Sequence, residues 1–208
     1  EILTHIGHSE KVFSMKRLLL ILILTLSFHS WATADDISDF EIEGMSIGDS
    51  LLDHYSKGEI ENFHKINYPG SKKFYQLGFI IQSEQYDGLN INLKTSDQKY
   101  IIYAIRGIKN FDNNLDECLK QKTKIIEQIS LLIKKTKKIE YQSNFSNTYG
   151  KSISYATAFN LNNGTIDCHC NKWDKKDKKI ISSGWFDSLG TSVANKLWTD
   201  WLDNEAYD

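Results

Sequence analysis

Short segments in which apolar and polar residues alternate constrain the fold of this chain more than any other feature. Leu89, Ile91 and Leu93 alternate with polar residues, and a second alternating segment runs from residue 153 to residue 161. Successive side chains of a β-strand point to opposite faces of a sheet, so this period of two predicts half-buried strands. The turn Asn162-Asn163-Gly164 after the second segment is typical of a β-hairpin.

One long segment shows the helical period instead. Apolar residues recur at steps of three and four between residues 115 and 135, and Asn114 is suited to cap the start of such a helix. A short helix is predicted at 46–57, because Ser46 and Asp49 resemble a capping box and an apolar stripe follows. The tryptophan-rich segment at 191–202 predicts an amphipathic C-terminal helix.

The order of these elements predicts an α+β protein. Strands are expected at 75–82, 89–94, 99–108, 153–161, 166–170 and 180–186. The chain therefore reads as two consecutive units, each a helix followed by three antiparallel strands, packed as one compact domain with an added C-terminal helix. Possible halves are 40–110 and 111–208 of a domain that spans 35–208.

The N-terminal segment predicts export. Met15 is followed by Lys16 and Arg17, an apolar run to residue 28 and then Ala32-Thr33-Ala34, which together are typical of a Sec-type signal peptide at 15–34. We expect cleavage after Ala34, a periplasmic or secreted location, and no membrane span after cleavage. Residues 1–14 are interpreted as an upstream translated segment without structural meaning.

The charge balance bears on the partners of the protein. Lys and Arg number 25 against 27 Asp and Glu, a net charge of −2. Nucleic-acid-binding domains carry a marked basic excess, so we expect no nucleic acid as a partner. The partner stays unknown from these residues; another envelope or extracellular protein is one possibility.

The letters Gly48-Asp49-Ser50-Leu51 make Ser50 a weak candidate nucleophile, because they match the signature of the GDSL hydrolases. A serine needs a general base, and in that family an Asp-x-x-His pair near the C-terminus supplies it. The last histidine here is His169, and the predicted C-terminal helix contains none. We therefore expect no catalytic site, and the hydrolase is the alternative hypothesis.

The three cysteines predict a disulfide rather than a metal site. Cys168 and Cys170 would share one face of a strand while His169 points to the other, so the three cannot bind one ion. Export places the chain in an oxidising compartment, where Cys118 is expected to pair with one of Cys168 and Cys170. No metal and no cofactor are expected.

Several motifs together resemble a group of uncharacterised exported proteins of marine bacteria. The motifs are residues 40–52, residues 99–103, Asp116-Glu117-Cys118, Cys170-x-x-Trp173 and Trp198-x-x-Trp201-Leu202. The resemblance implies no activity, but its Cys-x-x-aromatic pattern makes Cys170 the partner of Cys118, with Cys168 as the alternative.

A weaker, fold-level similarity concerns the start of the domain. Gly44-Met45-Ser46 at the start of a predicted helix, followed by three strands, is similar to BamE-type and β-lactamase-inhibitor-type domains. Both are non-catalytic binding modules, and the inhibitor type repeats the unit twice. The resulting hypothesis is an exported, soluble, non-catalytic binding module that uses a sheet face.

Overall fold

The centre of the protein is one eight-stranded antiparallel sheet. The computed structural model describes residues 36–207 except 134, 147, 148 and 184. A two-stranded ribbon, β1 (Glu41–Ile42) and β2 (Met45–Ser46), precedes the sheet. The strands of the sheet are β3 (His64–Asn67), β4 (Phe74–Ile80), β5 (Gly88–Lys94), β6 (Ile102–Asn110), β7 (Lys138–Asn144), β8 (Ile153–Leu161), β9 (Gly164–Lys172) and β10 (Ser188–Asn195).

The sheet consists of two four-stranded meanders joined in the middle. Its strand order is β3-β4-β5-β6-β10-β9-β8-β7, so the last strand of each meander pairs with the last strand of the other. The pairing of β10 with β6 runs from Ser188 opposite Asn110 to Ala194 opposite Ala104. β3 and β7 are the two edges.

Among the described residues, four α-helices connect or cover the strands. They are α1 (Lys57–Asn62), α2 (Leu115–Leu132), α3 (Lys178–Ser183) and α4 (Lys196–Asn204), and short 3-10 helices lie at Ile37–Asp39 and Leu51–Asp53. Asn114 caps α2 as the pattern predicts, since its side chain accepts a hydrogen bond from the Glu117 amide at 3.1 Å. Asn195 caps α4 in the same way through the Trp198 amide.

Each side chain of the sheet can be assigned to one of two faces through Cys170. Cys170 of β9 is bonded to Cys118 of α2, so Cys170 lies on the face that α2 covers. By alternation Ile166 and Cys168 share that face, and Asp167 and His169 lie on the opposite one, which we call the distal face. Residues paired directly across neighbouring strands share a face, so the strand register extends this assignment to the whole sheet. Val193 and Ile105 therefore lie on the face that α2 covers.

The main hydrophobic core lies between the sheet and α2. It includes Leu89, Ile91, Ile105, Phe159 and Ile166, each at most 1 % exposed. A smaller core lies at one end of the distal face, where Trp198 and Trp201 of α4 pack on Phe74, Ala104 and Ala194. α4 therefore covers that end of the distal face.

The α+β class agrees with the structure, but several of the predicted elements are wrong. Each meander has four strands where three were expected, because the exposed edge strands β3 and β7 hold too few apolar residues to show a clear period. The segment predicted as a strand at 180–186 begins in helix α3, and the helix predicted at 191–202 begins only at Lys196, after strand β10.

The predicted helix at 46–57 is also wrong. Ser46 lies in β2, Gly48 turns the chain with a φ of +97°, and Ser50 forms an isolated bridge with Ile101. Asp49 does accept a hydrogen bond from the Ser46 amide at 2.8 Å, but the pair closes a turn rather than a helix. Pairing with residues near β6 therefore prevails over the local capping signal.

Residues 1–34, which hold the predicted upstream segment and signal peptide, lie outside the described residues. Over the part of the chain that the structure describes, none of the helices has the length and apolar character needed to cross a membrane.

Candidate binding face

The distal face contains two adjoining cavities that meet at Arg106. The first has a volume of about 480 Å³, and its lining includes Tyr68, Asn92, Arg106, Trp185, Trp198 and Tyr207. The second has a volume of about 520 Å³, and its lining includes Arg106, His169, Asn171, Trp173, Trp185 and Phe186. Ile66, Asn90, Arg106 and Trp185 line both. The two cavities therefore form one trough across the sheet.

Arg106 lies at the middle of this trough because β6 is a central strand. Its Nε donates a hydrogen bond to Ser192 Oγ on the neighbouring strand at 2.7 Å, which orients the half-buried guanidinium group. Among the described residues, no carboxylate lies within 4.0 Å of Arg106, and its two Nη groups donate to no side chain or carbonyl. The positive charge thus stays available at the floor of the trough.

Tyr68 and Asn92 form the wall of the first cavity beside Arg106. The Tyr68 hydroxyl donates to Asn92 Oδ1 at 2.8 Å. Burial raises the pKa of Tyr68 to about 12, so this hydroxyl keeps its proton and remains a donor. Because Oδ1 of Asn92 is occupied by Tyr68, the amide presents its Nδ2 donor group on the other side.

Asp167 and His169 form a paired acid and base in the same face. His169 Nδ1 lies 2.5 Å from Asp167 Oδ1, and the Tyr141 hydroxyl donates to Asp167 Oδ2 at 3.3 Å. Burial would raise the pKa of Asp167, but the hydrogen bond from His169 outweighs it and, together with the positive charge of Arg106, holds that pKa below its usual value. Burial lowers the pKa of His169. The pair is therefore an ionised carboxylate beside a neutral imidazole.

Gly190 makes room for this imidazole. A Cβ atom built at Gly190 would lie 2.6 Å from His169 Cε1, closer than real Cβ contacts allow. The absence of a side chain on β10 at this point therefore lets the His169 ring lie flat against the neighbouring strand.

Aromatic residues rise along one side of the trough. The ring centroid of Trp185 lies 4.5 Å from that of Trp173 and 5.6 Å from that of Tyr149. Asp187, which is buried, fixes the loop by accepting a hydrogen bond from the Trp173 amide at 2.9 Å. Trp185 remains 37 % exposed, so it offers a ring surface that is already ordered.

Two buried polar atoms within the described residues lack a hydrogen-bond partner, and both belong to residues of the trough. They are Trp198 Nε1 at the first cavity and Asn171 Oδ1 at the second. An unsatisfied buried polar group costs about 1–3 kcal/mol. Such groups are concentrated here rather than in the core beneath α2.

Ser50, the candidate nucleophile, lies away from this face. It caps the 3-10 helix Leu51–Asp53, and its hydroxyl donates to the Lys99 carbonyl at 2.7 Å while accepting from the Leu52 amide at 3.2 Å. No histidine or carboxylate among the described residues hydrogen-bonds to Ser50. The structure does not bring a base to this serine.

The cysteines lie on the face covered by α2. Cys118 and Cys170 form a disulfide with a Cα–Cα distance of 6.0 Å, and Cys168 is a buried free thiol. Burial raises the pKa of Cys168 to about 12, so the thiol is protonated and unreactive. Within the described ranges, no group of three or more His, Cys, Asp or Glu side chains is arranged to hold a metal ion.

Sequence reasoning placed His169 opposite the two cysteines but did not identify the trough. The available signal was Arg106, a basic residue inside an otherwise apolar strand segment. A charged residue in a central strand is costly unless it is paired or exposed to a ligand, so it marks a candidate site.

Comparisons with known proteins find no relative of this chain. No protein-family model matches it, and neither the curated proteins nor the solved structures contain a match. The distal face is therefore interpreted from its own geometry.

Proposed function

We propose that the protein is an exported, non-catalytic binding module that holds a partner protein on the distal face of its sheet. The observation that carries the proposal is the trough around Arg106, which combines exposed aromatic rings and an oriented guanidinium group on a sheet face whose end is covered by α4. Protein interfaces are enriched in Tyr, Trp and Arg at their centres, and those residue types carry most of the binding energy.

The distribution of Lys and Glu side chains supports the distal face as the binding face. Lysines and glutamates are depleted at interface centres, and in the trough lining they are absent among the described residues. The α2 side instead exposes salt-bridged groups such as Lys120 with Glu117. The trough on the distal face thus has fewer Lys and Glu side chains than the α2 side, as expected for the centre of a protein interface.

The predicted signal peptide and the disulfide support the exported location. Disulfides persist in the periplasm and outside the cell, whereas cytosolic thiols are kept reduced. The bond between Cys118 and Cys170 therefore fits a chain that works in an oxidising compartment.

Affinity capture with matched variants tests the proposal. Immobilised residues 35–208 are exposed to envelope and culture-medium proteins of the source cells, as wild type, as Trp185→Ala and as Leu131→Ala. Leu131 is 75 % exposed on α2, on the other side of the sheet, and serves as the control. We expect a defined partner with wild type and L131A and its loss with W185A, with far-UV circular dichroism confirming that all three are folded. Equal recovery by W185A, or no specific partner at all, would contradict the proposal.

The alternative, an envelope hydrolase with Ser50 as nucleophile, has a direct test. A fluorophosphonate probe labels an activated serine, and we expect no labelling because the Ser50 hydroxyl is bonded to the Lys99 carbonyl. Labelling of the wild type that disappears in Ser50→Ala would establish the hydrolase and displace the binding module.

A further inference from the structure

Three side chains around the first cavity carry hydrogen-bond donors that have no acceptor among the described residues. They are the Nη groups of Arg106, the Nδ2 group of Asn92 and the Nε1 group of Trp198. Trp198 is 8 % exposed, and its Nε1 has no partner among the described residues. Asn92 is 4 % exposed and its oxygen is already bonded to Tyr68, so only donors remain on that side. The cavity therefore needs a ligand that accepts hydrogen bonds.

The positive charge of Arg106 indicates that the hydrogen-bond acceptor of the ligand is a carboxylate. Asp167 of β9 interacts electrostatically with Arg106, but one strand, β10, separates the two residues. The Asp167 carboxylate is occupied by His169 and Tyr141. A guanidinium group whose Nε is fixed presents its remaining N–H groups in the geometry that binds a carboxylate through two parallel hydrogen bonds.

The shape of the trough favours an extended ligand that passes over Arg106 rather than one that ends there. Arg106 lies where the two cavities meet, and the cavities have volumes of about 480 and 520 Å³. Amide side chains lie along this path: Gln76 and Asn90 at the first cavity, Asn171 at the second. Side-chain amides both donate and accept, as the N–H and C=O groups of an extended backbone require.

We propose that the occupant of the trough is an extended polypeptide segment of the partner that places an Asp or Glu side chain against Arg106. This inference rests on the proposed function. The aromatic rings of Trp185 and Trp198 flank the carboxylate and exclude water from the ion pair, and Asn92 donates to the second carboxylate oxygen. A free C-terminal carboxylate has the same chemistry but would leave one of the two cavities empty.

Selection from displayed peptides tests this occupant without knowledge of the natural partner. Short random peptides, displayed in one library with both ends joined to the carrier and in another with a free C-terminus, are selected on wild type, Arg106→Gln and Lys120→Gln. Lys120 is an exposed basic residue of α2 and provides the control. We expect an Asp or Glu at a fixed position in the wild-type and K120Q pools from the first library, and no such enrichment with R106Q.

A double-mutant cycle on one selected peptide completes the test. The acidic peptide should bind R106Q roughly tenfold or more weakly than wild type, and replacing its acid by the amide should cause a similar loss. The two changes together should cause little further loss, because each removes the same ion pair.

Each contrary outcome has a separate meaning. Selected peptides without an acid, or equal binding to R106Q, would overturn the role of Arg106 but leave the proposed function intact if W185A still abolishes capture. Selection only from the library with a free C-terminus would overturn the proposal that the acidic residue lies inside the segment. The proposal would also be overturned if no acidic peptide is selected while oligogalacturonate, an acidic oligosaccharide used as a probe, binds in an Arg106-dependent way. Capture that survives W185A would instead remove the proposed function itself.

Discussion

Asp167 and His169 lie two residues apart on β9, and the alternation of the strand puts both side chains on the distal face. His169 is buried and stays neutral, and its ring N–H is matched by a carboxylate that stays charged. The unfolded chain has no such environment. Protonation of this one histidine therefore differs between the folded and unfolded states, and stability must depend on pH.

We predict that His169 makes the protein less stable as pH falls from about 7.5 to about 5.5, since its folded pKa lies below the unfolded value of about 6.5. Below that value His169 is protonated in the unfolded chain but stays neutral in the folded chain, so the free energy of unfolding decreases as the pH falls. The pKa of Asp167 is also lowered, but its contribution is lost only below its usual value of 3.8. Urea unfolding at the two pH values measures the change.

His169→Gln should make this pH-dependent loss smaller by about 1 kcal/mol, because one titrating group is removed. His64→Gln, a change at an exposed histidine of β3, is the matched control. An unchanged pH dependence in H169Q would contradict the assignment of a neutral His169.

The orientation of His169 was predictable from the sequence, whereas its role was not. The alternation Ile166, Cys168, Cys170 fixes which face His169 must take, but its partner Asp167 and the glycine beneath it become meaningful only once β10 lies alongside. The strand predicted at 99–108 is mainly apolar from Tyr100 to Ile108, and Arg106 is the one charge within that stretch. This charge is the physical signal in the sequence that marks the trough.

At the scale of elements, the disulfide ties α2 to β9 across 52 positions of the sequence. In the unfolded chain this link closes a large loop and removes conformational entropy. The chain-entropy relation gives a stabilisation of about 4 kcal/mol for a loop of this length. The link also fixes α2 on the face opposite the trough.

We predict that Cys118→Ser combined with Cys170→Ser lowers the free energy of unfolding by about 4 kcal/mol. Chemical denaturation of wild type with and without a reductant provides the comparison, because the reduced wild type should approach the double variant. The double variant itself should not respond to the reductant. A wild type whose stability is the same in both conditions would show that the link does not contribute.

The elements that could be predicted are those whose burial is one-sided. β5 and α2 each bury one face, so the periods of their apolar residues are visible. β7 is exposed along its whole length and carries no such signal. The sequence pattern includes the end of β10 in the predicted C-terminal helix, because small residues and Val193 directly precede the tryptophans of α4. Only Asn195, which caps α4, marks the boundary between strand and helix.

At the scale of the molecule, the two meanders depend on each other through β6 and β10. Neither strand is an edge in the complete sheet, and their pairing covers seven positions. Separating the meanders would expose two central strand edges together with the apolar residues on them. Such exposure is unfavourable enough that partial unfolding between the halves is disfavoured.

We predict a single cooperative unfolding transition for residues 35–208. Tryptophan fluorescence reports on the second meander and α4, and far-UV circular dichroism reports on the whole sheet, so the two transitions should coincide. Amide hydrogen exchange in β5 and β8 should reach the same maximal protection. A first step that releases one meander while the other stays protected would contradict this coupling.

The central position of β10 has a consequence for how the chain is made. A ribosome or an export channel releases the protein from its N-terminus, so β3 to β6 are available long before Ser188–Asn195 emerges. Throughout that interval the edge of β6 is unpaired, and so is the edge of β9 once it has formed. The two halves of the sheet thus stay separate until β10 has followed β9 and pairs with both β6 and β9 at the middle of the sheet. Contacts this distant in sequence are slow to form, and a chaperone that covers a strand edge would act in that interval.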